Sequence, residues 1–341
     1  MRLRTLTCTA LILGLSGCAQ GEISPPEDPP EHAPGWADEE RAILAEDGYR
    51  LPYRRWGPDA DSDPPPRDVL LALHGLNDYS KGMEKLGEYM AEQGVATYAY
   101  DHRGFGATAD AGTWPGATTL IDDAATVFEL LQERYPESRH FLLGHSMGGA
   151  IALTVTVEQN PSIDGLALLA PAVWGREAMP WYQRTALWLT SRILPGLKLS
   201  GEVIGVDPTD NEEAVEQMHA DPLIQRTVRA DKLAGVTDLM DRALQAVEAL
   251  EKPSLILYGE HDEVVPPEPT CVMLQRLPDR PPGRWRFALY PEGYHLLTRD
   301  LQRERVLADL AAWIEAPEDA RLPSSNETGR DEALSRLCNR R

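Results

Sequence analysis

The chain has 341 residues and carries 54 Asp and Glu against 33 Lys and Arg, a formal net charge of −21. That length suffices for one large α/β domain or two average ones and excludes a small disulfide-stapled fold, while 42% hydrophobic residues supply a core. So acidic a balance argues against binding to a nucleic-acid backbone, which needs clustered Lys and Arg.

At the N-terminus, Arg2 and Arg4 precede the apolar run TALILGL and small residues follow, the arrangement of a secretory signal over residues 1–17. The run is shorter than the ~20 apolar residues of a spanning helix. LSGC at Leu15 to Cys18 resembles a bacterial lipobox. The resemblance implies cleavage before Cys18, acyl chains on that cysteine, and a soluble body tethered to a bilayer. Ala19, standing where inner-membrane retention would place Asp, implies the outer membrane of a bacterial envelope. Residues 18–40 then form a lipidated N-terminus and a disordered linker, because the stretch after Cys18 is acidic, rich in proline and nearly free of aliphatics.

Past the linker, DGYRLPYRRW (47–56) alternates roughly as an edge strand or hairpin arm does, and a turn cluster follows. Six short runs are almost continuously apolar: VLLALH (69–74), VATYAY (95–100), HFLLG (140–144), GLALLA (165–170), SLILYG (254–259) and WRFALY (285–290). Strands covered by helices on both faces look like this. Leu120, Ala124, Val127 and Leu131 mark one helical face, and Met83, Leu86 and Met90 a shorter one. Strand and helix alternation predicts a three-layer α/β sandwich with a mostly parallel central sheet, built from residues 41–171 and 251–316. Between Ala170 and Ser254 the alternation stops for longer than an ordinary connection allows. Residues 172–250 are therefore expected to be an inserted helical cap, with helical stretches near 209–220 and 231–250. Residues 317–341 are expected to be a ragged extension with a short helix at Asp331–Leu337. Cys271 and Cys338 could pair or remain free thiols. No Cys/His cluster suggests a metal, and DHRGFG (101–106) lacks the spacing of a nucleotide loop. Arg103 within it is expected to tie loops together.

GHSMGG (144–149) lies between a buried strand and a helical run. A strand turning sharply into a helix needs small residues flanking the turning residue, as Gly144 and Gly148 flank Ser146. Ser146 is thereby the candidate nucleophile, and a serine hydroxyl needs a base oriented by a carboxylate. Three histidines follow it: His219 falls in the cap, His261 beside the acid candidates, and His295 in a loop after the last strand, so His295 is the expected base. The loop after SLILYG offers Asp262 as the expected acid, with Glu260 as an internal rival. Backbone N–H groups of Met147, at the start of the helix, and of Leu76, after His74-Gly75, are the expected oxyanion donors. His74 is expected to brace its loop rather than transfer protons.

HGLNDYS, YDHRGFG, GHSMGG, GEHDEVVP and YPEGYH together resemble the α/β-hydrolase superfamily, and within it the monoacylglycerol lipases and bacterial lysophospholipases, over residues 47–314. The resemblance implies Ser146, Asp262 and His295 as a triad, Leu76 and Met147 as the oxyanion hole, a small lipid ester as substrate, and no cofactor or metal. It further implies an acyl path through the cap, for which Trp174, Trp181 and Trp188 are candidates to line the path or its membrane-facing mouth, although an aromatic helical face is more often core. Phe105 stands where the family commonly has His, and Ala107 or Thr108 where it has Ser, which loosens the substrate assignment but not the triad. A general short-chain carboxylesterase, a peptidase, amidase or haloperoxidase on the same scaffold, and a non-catalytic acyl-binding lipoprotein are the alternatives.

Overall fold

A computed structural model describes residues 34–338 apart from 38, 40, 201–205, 280–283 and 320. The signal segment and Cys18 lie outside the described residues. The six apolar runs form β4 (Asp68–Leu73), β5 (Ala96–Tyr100), β6 (Arg139–His145), β7 (Gly165–Leu169), β10 (Ser254–Gly259) and β11 (Trp285–Tyr290). They pair in parallel in the spatial order β5-β4-β6-β7-β10-β11. Alternate residues face opposite layers, as the two-residue period of a strand requires: Leu71, Leu142 and Leu168 enter one core, and Leu70, Phe141 and Leu169 the other. Helices α2 (Ala117–Arg134) and α3 (Met147–Thr154) cover the first face, while α1 (Glu84–Glu92) and α8 (Arg303–Glu315) cover the second. This is the expected three-layer sandwich.

On the β5 side the sheet continues antiparallel through β3 (Arg50–Trp56), β2 (Ala42–Leu44) and β1 (Gly35–Ala37), giving nine strands in all among the described residues. β1 corrects the expectation of a disordered linker through residue 40. Trp36 is the physical reason: its ring meets Tyr53 at 5.5 Å and Tyr98 at 5.6 Å edge-on, and the Arg134 guanidinium lies 4.6 Å from its centroid.

At the other edge, the tail carries the expected short helix but is ordered rather than ragged before it. The Leu289 N–H donates to Asn326 O at 3.0 Å and the Thr328 N–H to Phe287 O at 2.8 Å, so residues 326–328 occupy the open side of β11. Helix α9 (Arg330–Cys338) then packs on α7 (Pro267–Arg276), joined to it by the disulfide Cys271–Cys338.

The segment between β7 and β10 contains α4 (Trp181–Ile193), a small hairpin of β8 (Lys198–Ser200) with β9 (Thr227–Arg229), α5 (Glu212–Ala220) and α6 (Ala230–Ala246). Helix α6 packs on α3, the helix that starts at Ser146, and α4 packs on α6.

Candidate active site

Strand β6 ends at His145 and α3 starts at Met147, so Ser146 makes the whole turn, at φ +52° and ψ −118°. A non-glycine residue is strained there. The strain is held by three backbone hydrogen bonds: Ser146 N–H to Leu169 O at 2.9 Å, and Ser146 O accepting from Ala150 N–H at 3.1 Å and Ala172 N–H at 2.9 Å. The flanking glycines are required by space. A Cβ on Gly144 would stand 2.1 Å from Gly148 O, and one on Gly148 would stand 2.2 Å from Leu73 O. Met147 is the first residue of α3, so its N–H lacks an intrahelical acceptor and points with the positive end of the helix dipole.

The loops after β10 and β11 converge beside this elbow. Asp262 is buried; its Oδ1 accepts from the Val264 and Val265 N–H groups, each at 2.9 Å, and its Oδ2 accepts from His295 Nδ1 at 2.8 Å. Two backbone donors and the imidazole thus fix the carboxylate, and the proton on Nδ1 leaves Nε2 as the basic nitrogen of His295. Glu260, the rival acid, instead pairs with Arg336 of α9. The carbonyl of His295 is held by His145 Nε2 at 3.1 Å, with the two rings 4.8 Å apart. Burial drives the His145 imidazole well below its ordinary pKa, and the neighbouring His295 adds to the effect. A second cation therefore does not compete with an imidazolium at His295. Asp300 steadies the approach to His295 by accepting from Tyr294 N–H at 2.8 Å and Thr209 Oγ1 at 2.6 Å. Burial raises its pKa to about 6. Among the described residues no hydrogen bond joins Ser146 Oγ to His295. Such links often tighten only when substrate arrives.

The loop after β4 closes the other side. A Cβ on Gly75 would lie 3.3 Å from Ser146 Cβ, which puts the Gly75-Leu76 peptide against Ser146. His74 Nε2 accepts the His102 N–H at 3.0 Å, so the ring proton is on Nδ1 and is donated to Gly75 O at 2.8 Å. Gly75 C=O and Leu76 N–H belong to one planar trans unit. Fixing the carbonyl toward His74 therefore fixes the Leu76 N–H in the opposite direction. His74 braces the loop, and burial keeps it below its ordinary pKa.

Of the aromatic candidates, Trp174 is half-buried against the main core, whereas Trp181 and Trp188 on α4 are 70% and 56% exposed. The two α4 tryptophans are not core; they form an outward apolar face. Arg103 ties loops as expected, donating to Asp123 (Nε, 2.7 Å) and Asp47 (Nη2, 2.6 Å) across the Tyr49 ring. His145, Asp300, Gln225 and Lys232 were not singled out from the sequence. His145 carried one available signal, its place between two motif glycines.

Residues 64–302 match the Hydrolase_4 family model, described as serine aminopeptidase, S33. The chain belongs to that family. Monoacylglycerol lipase of Mycolicibacterium smegmatis is 24% identical over 280 residues, covering 81% of this chain and 96% of the relative. Human monoglyceride lipase is 25% identical over 298 residues, covering 86% and 95%. Among solved structures, the monoacylglycerol lipase of Paleococcus ferrophilus superposes with a TM-score of 0.65 at 24% identity, covering 78% of this chain and 99% of that one. A soluble variant of the Saccharomyces cerevisiae monoglyceride lipase, in complex with a substrate analogue, gives 0.67 at 18% identity, covering 89% and 100%. These structural likenesses establish the shared fold.

Proposed function

We propose that the protein is a serine hydrolase that cleaves carboxylic esters of single-chain lipids, monoacylglycerols or lysophospholipids, through an acyl-enzyme. The observation that carries this reading is the buried Asp262–His295 hydrogen bond at 2.8 Å beside a serine elbow. In the first half-reaction Ser146 Oγ attacks the ester carbonyl and gives its proton to His295 Nε2. Asp262 holds the ring and stabilises the imidazolium. The tetrahedral oxyanion takes hydrogen bonds from the Leu76 and Met147 N–H groups, where one donor is typically worth about 2.7–4 kcal/mol. The imidazolium returns the proton to the departing alcohol. Water then loses its proton to His295, attacks the acyl-enzyme and releases the acid.

The names of the full-length relatives support a lipid ester over a peptide, despite the family description. The exposed apolar face of α4 supports presentation of that ester at a lipid surface. An acyl anchor on Cys18 in the bacterial outer membrane belongs to the same proposal and rests on the LSGC resemblance.

Hydrolysis of monoacylglycerols, lysophospholipids and nitrophenyl esters of graded length, with Ser146→Ala as control, tests the reading. Turnover favouring long-chain lipid esters and lost in Ser146→Ala is expected. Turnover of the shortest esters alone would make the protein a general carboxylesterase. No turnover by the folded protein would leave an acyl-binding lipoprotein.

A further inference from the structure

The oxyanion loop is touched from outside by the cap, through one short stretch of chain. Gln225 N–H donates to Asn77 O at 3.0 Å, and its side-chain Nε2 donates to Gly104 O at 2.7 Å. Lys232 Nζ, on the first turn of α6, donates to Gln225 Oε1 at 2.8 Å and to the same Gly104 O at 3.3 Å, and lies 3.5 Å from the centroid of the Phe105 ring. Lys232 is only 1% exposed. A lysine is almost never so deeply buried unless its charge or its donors are used. Here all of its side-chain hydrogen bonds span cap and core or brace the residue that does.

The two core points that the cap holds are the two supports of Leu76. Asn77 follows Leu76 directly and has a left-handed backbone, φ +64°. Gly104 belongs to the loop whose His102 N–H fixes His74, and His74 fixes the Gly75 carbonyl and with it the Leu76 N–H. His102 also lies against His74, with ring centroids 4.1 Å apart.

Resting on the hydrolase reading, we propose that Gln225 and Lys232 form a clasp through which the cap aims the Leu76 oxyanion donor, making both positioning residues for the reaction. Neither is a catalytic residue, since each acts through a core carbonyl. When the cap is seated, Leu76 is pinned from both sides. Without these cap donors, the Asn77 and Gly104 carbonyls would be unpinned and the Leu76 N–H would lose its aim.

The test uses the full chain, a soluble nitrophenyl ester, and a trifluoromethyl ketone whose hemiketal oxyanion occupies the hole. Lys232→Met keeps the side-chain stem and removes the donors; Gln225→Glu keeps an acceptor for Lys232 and removes the donor to Gly104. Each is expected to lower kcat about tenfold, less than the about 10²–10³ that follows loss of a donor itself, with KM within about twofold. The ketone should weaken by the same factor as kcat, a correspondence that a purely structural role would not produce. The double variant should be no worse than about the poorer single one, because both act on Gly104 O. If Lys232→Met fails to fold, Gln225→Glu decides the matter alone. Folded variants with wild-type kcat and ketone affinity, or with a change in KM only, overturn the clasp. A wild type that neither turns over esters nor binds the ketone overturns the hydrolase reading, and the clasp with it.

Discussion

Helices α4 and α6 belong to one cap and are both amphipathic, yet α6 buries ten of its residues and α4 buries none. Helix α6 lies directly on α3, so its apolar stripe of Val236, Leu239, Met240 and Ala243 is continuous with the core under Ser146. Helix α4 lies beyond it and turns Trp181, Trp188 and Ile193 to solvent, the last 64% exposed. Apolar periodicity therefore says that a helix has a face but not what covers it. One cap helix is an extra core layer packed on the helix that starts at Ser146. The other leaves its apolar face uncovered by the described residues.

The contrast can be broken most forcefully on α6. Leu239→Ala should cost about 2–5 kcal/mol in denaturant unfolding, and a loss near zero would remove α6 from the core. Gly235→Ala comes next. Its Cβ would stand 2.0 Å from Trp114 Nε1, so overpacking of about 1–3 kcal/mol should outweigh the helix-propensity gain of about 1 kcal/mol. A more stable variant would show that α6 can slide.

A third effect is in pH. Burial lowers the Lys232 pKa to about 7, with Asp231 opposing and His74 close by. The unfolded lysine keeps its proton to about pH 10, so between those values the unfolded state binds more protons. Stability from this group must then rise with pH across that window, by at most about 1.4 kcal/mol per unit. Urea midpoints at pH 7 and 9 should show the rise in wild type and a flatter response in Lys232→Met. An identical slope would mean that the lysine is not dry. Smallest in stability is Trp181→Ser with Trp188→Ser, within about 0.5 kcal/mol as for open surface sites. That pair should lower turnover of dispersed long-chain esters several-fold and leave soluble esters unchanged. Equal loss on both would place the tryptophans in the acyl path after all.

The parallel sheet was legible because strands buried on both faces write themselves as unbroken apolar runs, and the elbow because Gly144 and Gly148 have no room for a side chain. The loops carrying Asp262 and His295 were legible because each follows such a run. What escaped depends on contacts between residues far apart in sequence. Trp36 sits in a proline-rich acidic stretch and gains its strand from Tyr53, Tyr98 and Arg134. Asn326 and Thr328 belong to a polar tail that folds because β11 offers it unpaired carbonyls and N–H groups. The Cys271–Cys338 bond, left open from sequence, closes because α9 lies on α7. Lys232 reads as an ordinary polar residue in a first helical turn; only the fold sets it over Phe105, at the position where the family resemblance had led one to look for His. Glu260 and Asp262 were close rivals in sequence, and the pairing of Glu260 with Arg336 separates them.

The most direct measurement is the rate and site of labelling by a fluorophosphonate probe, mapped by peptide mass. The account predicts one label per wild-type chain, on Ser146, none in Ser146→Ala, and a rate in folded Asp262→Asn lower by up to about 10⁴-fold, the loss such an orienting carboxylate produces in related triads. Label on another serine, or an Asp262→Asn rate equal to wild type, would contradict it.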